Sequence, residues 1–176
     1  FNKLKTAEAG KALGVKKATG EIYAFIDSDN ILESDSWFKK IVNPMVEDPE
    51  IIASEPIRFT YRKNDLWLTR YFSLVGVGDP VNLFIGIYDK KNYITNKWTG
   101  LKIEEQIKRG YIKVKLENKI PTIGANGFLI RKQGFNNYKL GDYLFDVDLI
   151  ESLTKNGPIF ISKVETGVVH LFSGDI

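Results

Sequence analysis

Apolar positions along the chain follow two periods that alternate from segment to segment. Residues 3–19 are rich in Ala and Lys, with Leu4, Ala7, Leu13 and Ala18 apolar, and predict a helix made irregular by Gly10 or Gly14. The unbroken run Ile22-Tyr23-Ala24-Phe25-Ile26 then predicts a buried strand over residues 21–27. Trp37, Phe38, Ile41 and Val42 return to helical spacing, with Ser34 or Ser36 as the cap and Pro44 as a bend or stop. An extended run begins at Ile51-Ile52-Ala53 and reaches Tyr61. Trp67, Leu68, Tyr71, Phe72 and Val75 form an amphipathic stripe, the pattern of a helix covering a core before that of a lipid contact. Gly76 to Pro80 reads as a turn, Val81 to Tyr88 as a short apolar element, and residues 89–111 as polar.

The second half is more strand-like. Ile112, Val114 and Leu116 alternate with Lys113, Lys115 and Glu117, as in a half-exposed strand. Gly124-Ala125-Asn126-Gly127 turns the chain into Phe128-Leu129-Ile130. A helix is expected over residues 146–155, stopped by Asn156-Gly157-Pro158, then strands over Ile159–Val164 and Gly167–Leu171. Helices alternating with strands, without internal repeats, predict one α/β domain.

Composition narrows the classes of function. At 176 residues, 43% hydrophobic and 27% charged, the chain has the profile of a globular domain with a sizeable core. A net charge of +3 without a basic, aromatic-studded platform argues against nucleic acid. The absence of cysteine removes disulfides and thiolate metal sites. No apolar run reaches the ~18 residues of a membrane span, since Arg70, Asp79 and Pro80 interrupt the best stretch, Trp67 to Ile87. The start on Phe1 suggests a piece of a longer protein.

Candidate chemistry gathers at four places. Asp27-Ser28-Asp29-Asn30 ends the Phe25-Ile26 strand, and ligands of open α/β sheets bind beyond the carboxyl ends of strands. Two carboxylates so close, with no cationic neighbour in sequence, would repel unless a cation lies between them. Mg²⁺ or Mn²⁺ with a phosphorylated ligand would meet that need; a helix-capping acidic turn is the plainer alternative. The Gly124–Gly127 turn offers unobstructed backbone N–H groups, though a hairpin would also explain it. Asp146 opens the expected helix, where a carboxylate also suits the helix dipole, and Asp148 should point elsewhere. His170 is the only histidine and lies in an apolar strand, where a core role competes with that of a ligand.

In this order the segments resemble the nucleotide-sugar glycosyltransferases of family 2. Gly10-Lys11-Ala12-Leu13-Gly14 with Ala18-Thr19-Gly20-Glu21 is similar to that family's lead-in, and Phe25-Ile26-Asp27-Ser28-Asp29-Asn30 to its D-x-D strand end. Gly124 to Arg131 resembles the acceptor-side strand, Phe145-Asp146-Val147-Asp148-Leu149 the Glu-Asp motif, and Val168-Val169-His170 the late histidine. Phe145 stands where an acidic residue is usual.

The resemblance implies a GT-A-like, Rossmann-related α/β fold with a mixed, mostly parallel sheet flanked by helices. Residues 1–176 would form a single domain lacking its first nucleotide-binding strand, with residues 61–119 as an acceptor-side insertion. It implies inverting sugar transfer from a nucleoside-diphosphate sugar to a hydroxyl of a glycan or lipid-linked glycan, of the hexosyltransferase type used in polysaccharide biosynthesis. In that scheme Asp146 is the base. Lys11, Asp27 and Asp29 serve the nucleotide; Asp29, Asp27 and His170 hold Mn²⁺ or Mg²⁺; Asn126 and Gly127 position the acceptor. A cytoplasmic protein, at the inner membrane face through a peripheral contact, fits that chemistry.

Two rival readings remain open. A haloacid-dehalogenase-type phosphatase would also use D-x-D, with Gly141-Asp142-Tyr143-Leu144-Phe145-Asp146 as its late motif. A non-catalytic glycan-binding domain could keep the fold without a donor site. An EF-hand is excluded, because its sixth and twelfth positions would be Leu32 and Phe38.

Overall fold

The longest strand, β7 (Ile159–His170), is the axis of the molecule. The structure, a computed structural model, describes residues 6–124 and 126–172. Preceding β7 are α1 (Ala7–Lys17), β1 (Ile22–Phe25), β2 (Asn30–Leu32), α2 (Trp37–Glu47), β3 (Ile51–Phe59), α3 (Trp67–Val75), α4 (Pro80–Ile85), β4 (Glu104–Lys108), β5 (Tyr111–Leu116), β6 (Phe128–Arg131) and α5 (Asp146–Thr154). The strands form one sheet in the order β1-β6-β3-β7-β5-β4, with β2 beside the last residues of β7. It is a mixed α/β architecture.

The sheet is not mostly parallel. Only β3 and β7 pair in parallel; the other pairings are antiparallel. The alternation of helix and strand does connect like-directed strands, since β1, β3 and β7 run the same way. Between β1 and β3, however, lies the reversed strand β6. The β4–β5 hairpin turns at Arg109-Gly110, with Gly110 at φ 86°. No helical period announces either reversal.

One strand also replaces the two expected at the C-terminal end. A register shift between Pro56 and Arg58 lets β3 step from Val164 to Gly167 across the polar pair Glu165-Thr166. The Thr166 hydroxyl and the Gly167 N–H then both donate to Glu33, each at 2.9 Å. The interruption is solvated by a side chain, so the strand continues.

Alternation along β6 divides the core. Phe128 and Ile130 meet Tyr23, Phe25, Leu149 and Ile150 on the face covered by α1 and α5. Leu129 meets Trp37, Ile41 and Met45 of α2 on the other. Helix α1 runs unbroken through Gly10 and Gly14, capped by Thr6, whose hydroxyl accepts from the Ala9 N–H at 3.2 Å; the expected helical residues 3–5 lie outside the described residues. Helix α2 continues through Pro44 to Glu47. Val81 to Tyr88 contributes the short helix α4, and Phe72, Val75, Val77 and Tyr88 knit α3 and the following segment into a third, smaller core.

Candidate functional site

Because β1, β3 and β7 run the same way, Asp27 to Asn30 after β1 and His170 at the end of β7 emerge at one end of the sheet. The reversed strand β6 begins there too, after Asn126 and Gly127. The topology therefore collects three segments distant in sequence at the end of the sheet where α/β proteins bind ligands.

Lys11 ties the segment after β1 to Asp146, the first residue of α5. Its ammonium lies 2.7 Å from Asp146 Oδ2 and 3.3 Å from Asp27 Oδ1. Burial works to lower the Lys11 pKa, but Asp146 and Asp27 outweigh it and hold the group above its ordinary value, so it is a fixed cation. Asp27 thus has the cationic partner that its local sequence lacks, and repulsion between Asp27 and Asp29 by itself requires no metal. The partner stands on α1 rather than beside the motif, which is why local spacing could not find it.

Asp146 is 8% exposed. Burial pushes its pKa up to about 6, against the pull of Lys11 and with Asp27 and Glu8 adding to the rise. Its Oδ1 is buried and accepts no hydrogen bond. A carboxylate with one oxygen held by an ammonium and the other unpartnered is an oriented proton acceptor. Gly124, at φ 122°, makes room for it: a Cβ there would lie 2.3 Å from that of Asp146. The sequence offered ligand-facing N–H groups or a hairpin as the reason for this turn; at Gly124 the structure adds close approach to Asp146.

Asp29 takes a separate partner. His170 Nε2 lies 3.2 Å from its Oδ2, while the Asn30 carboxamide donates to Asp29 Oδ1 at 3.1 Å and to Asn126 Oδ1 at 2.8 Å. Burial holds His170 below the ordinary histidine pKa even though Asp29 opposes it, so the ring is neutral near pH 7. His170 Nδ1 and Asn30 Oδ1 are buried without partners. Asn126 adopts φ 60°, a left-handed conformation that asparagine tolerates. The space a side chain would take at Gly127 belongs to Trp37, whose ring would lie 2.8 Å from a Cβ at that position.

Alongside runs a cavity of about 590 Å³ between α1 and β1, lined by Gly10, Lys11, Gly14, Gly20, Tyr23 and Asp27 among others. Small residues on the inner face of α1 create it. Among the described residues no three His, Cys, Asp or Glu side chains converge as a metal cage. Asp29 and His170 remain a two-ligand pair of oxygen and neutral nitrogen, which suits a hard divalent ion only if phosphate oxygens complete the shell.

Asp148 points to solvent, as expected. Asp142 is 85% exposed and pairs with Lys16 at 3.1 Å, so it does not join Asp146 as a phosphatase metal pair would require. A contribution that sequence reasoning did not separate out is that of Asn30, whose amide ties Asp29 to the Asn126 turn.

A family model described as "Glycosyl transferase family 2" matches residues 5–138. That span includes Lys11, Asp27, Asp29, Asn126 and Gly127 and stops short of Asp146 and His170. Comparisons with the curated proteins and with the solved structures return no match.

Proposed function

The chain belongs to glycosyl transferase family 2, and we propose that it transfers a sugar, with inversion, from a nucleoside-diphosphate sugar to an acceptor hydroxyl of a glycan or lipid-linked glycan. The observation that carries this reading is Lys11, which holds the D-x-D end of β1 and the first residue of α5 within one ammonium's reach.

In this reading Asp146 Oδ1 takes the proton of the acceptor hydroxyl as its oxygen forms a bond to the anomeric carbon. The bond from that carbon to the diphosphate oxygen breaks, and the pair of electrons leaves with the nucleoside diphosphate. With a pKa of about 6, Asp146 is ionised at neutral pH yet more basic than an exposed aspartate. Lys11 keeps Asp146 Oδ2 occupied, which presents Oδ1 to the acceptor, and its charge favours an incoming diphosphate beside Asp27. Asn126 and the Gly127 turn flank the acceptor side through the amide of Asn30. Mn²⁺ or Mg²⁺, held by Asp29 and His170 with Asp27 nearby, would supply positive charge to the leaving diphosphate.

A thermal-shift screen of nucleoside diphosphates, with and without Mn²⁺, tests the donor half directly. One nucleotide should stabilise the protein, more so with Mn²⁺, and Asp29→Asn should lose the Mn²⁺-dependent part. If no nucleoside diphosphate raises the melting temperature under either condition, the donor site does not exist. Binding without any sugar transfer would favour the glycan-binding alternative.

A further inference from the structure

Among the described residues, nine of the eighteen exposed large hydrophobic side chains lie between Leu66 and Ile94, so they concentrate in one stretch of the chain rather than scattering along it. Trp67, Tyr71 and Leu74 share one face of α3, at 69%, 48% and 42% exposure. Val81, Phe84 and Ile85 share a face of α4, with Phe84 91% exposed. Tyr93 and Ile94 continue the surface beside the end of α3, where the Tyr93 N–H donates to the Leu74 carbonyl at 2.9 Å. The inward faces of the same elements are satisfied, since Phe72, Val75, Val77 and Tyr88 form their own core. A stripe read from sequence as core-covering is therefore core-covering on one side only.

The charges around this surface identify its partner. Arg62, Lys63, Arg70, Lys91 and Lys97 are partly or fully exposed in this stretch, against the carboxylates of Asp65 and Asp79. Arg62 and Asp65 pair with each other, which leaves Lys63, Arg70, Lys91 and Lys97 against Asp79, whose carboxylate caps α4 by accepting from the Val81 N–H. A second copy docking through the same face would bring cations against cations. An anionic lipid surface would bring opposite charges together, with Trp and Tyr at the depth those residues favour. No helix among the described residues is long and apolar enough to cross a membrane, so the contact lies in the interface plane.

We propose that the outward face of α3, α4 and the Tyr93-Ile94 loop seats this protein on an anionic lipid bilayer. The seat is joined to the site itself. Phe72, on the inner side of α3, stacks 4.4 Å from Phe172, whose ring lies 4.2 Å from His170. The Phe172 N–H donates to Thr69 of α3 at 3.0 Å. Helix α3 and the Phe72–Phe172 ring pair thus connect a bilayer on its outer face to the Asp29–His170 pair, which narrows the acceptor to a lipid-borne hydroxyl; that narrowing alone rests on the transfer reading above.

The chain's three tryptophans make the test clean, because Trp37 and Trp98 are buried and only Trp67 is exposed. Vesicles of phosphatidylglycerol and phosphatidylcholine should shift the emission to the blue and carry the protein to the vesicle fraction. Pure phosphatidylcholine and high salt should weaken the effect. Trp67→Phe should remove the spectral shift while keeping most of the binding. Phe84→Glu combined with Ile94→Glu should weaken vesicle binding about tenfold or more, with an unchanged melting temperature because both side chains are exposed. Asp146→Asn should bind vesicles like the parent even if it transfers no sugar, which separates this proposal from the catalytic one. The proposal is overturned if anionic vesicles leave Trp67 emission unmoved. It is equally overturned if Trp67 is already blue-shifted without lipid, through self-association or cover by another segment of the polypeptide.

Discussion

Two lysine–carboxylate clusters lie in this protein, and they are built for opposite ends. At the sheet edge, Lys11 bridges Asp27 and Asp146 beside a cavity, and atoms of Asp146, His170 and Asn30 are left without partners. Under the segment that follows α4, Lys90 and Lys163 enclose Glu55 and Asp89, and both lysines and Glu55 are completely buried. Lys90 lies 3.0 Å from Glu55 and also meets Asp89; Lys163 meets Glu55 and the Asp89 carbonyl. No side-chain polar atom of that second cluster is among the buried ones lacking a partner. Saturation marks the cluster that joins β3 and β7 to the segment at Asp89-Lys90. Buried atoms left without partners mark the site that can still bind and react.

The electrostatics follow the same division. In the closed cluster, burial works to lower both lysines. Asp89 and Glu55 reverse this for Lys90, whereas Lys163 is pushed down to about 8. In the open cluster Lys11 is held above its ordinary value by its carboxylates, and burial pushes Asp146 up to about 6.

The sharpest way to break the contrast is Asp146→Asn. Transfer should fall by about 10²–10⁴, the usual contribution of a positioned base, while nucleotide binding persists. Stability should not fall with it. The folded form binds the Asp146 proton more tightly than an exposed aspartate does, so ionisation opposes folding above about pH 6 and the opposition disappears below the ordinary 3.8. That displacement is worth about 3 kcal/mol at most, so the amide should leave the urea midpoint unchanged or raise it. A lower midpoint with intact transfer would move Asp146 into the structural group.

Glu55→Gln should do the reverse. Removing the carboxylate between two buried ammonium groups costs about 3–5 kcal/mol, read as a large drop in urea midpoint. The surviving folded protein should still bind nucleotide. If the midpoint holds, the closed cluster is not the clamp its geometry describes.

How far each cluster was legible in the sequence follows from where its partners come from. Asp27, Asp29, Asp146 and His170 stand at ends of strands and helices, and element ends are what periodicity locates. The same reading gave α2, α3 and α5 close to their observed bounds. The closed cluster is different: Glu55 precedes Pro56, Lys90 lies in a polar stretch and Lys163 interrupts an apolar run, so each resembles an ordinary surface charge. Only the pairing of β3 with β7, with Glu55 opposite Lys163, makes them buried neighbours. Strand direction was hidden for a related reason, since the partners of β6 lie far from it in the chain. β4 escaped notice because all five of its residues are exposed, leaving no hydrophobic period to read.

The smallest effect is the most specific to the open cluster. Lys11 lowers the Asp146 pKa against burial, so Lys11→Gln removes an attraction that favours the ionised carboxylate. The base must be deprotonated to act, so the parent's rate should fall as pH drops through about 6. In Lys11→Gln that acid limb should move to higher pH, with the donor KM raised by the loss of positive charge near the diphosphate. A structural role for Lys11 would lower activity equally at every pH. A limb that stays at its original position would therefore separate Asp146 from the titration that governs transfer, and leave the bridge between α1 and α5 as packing alone.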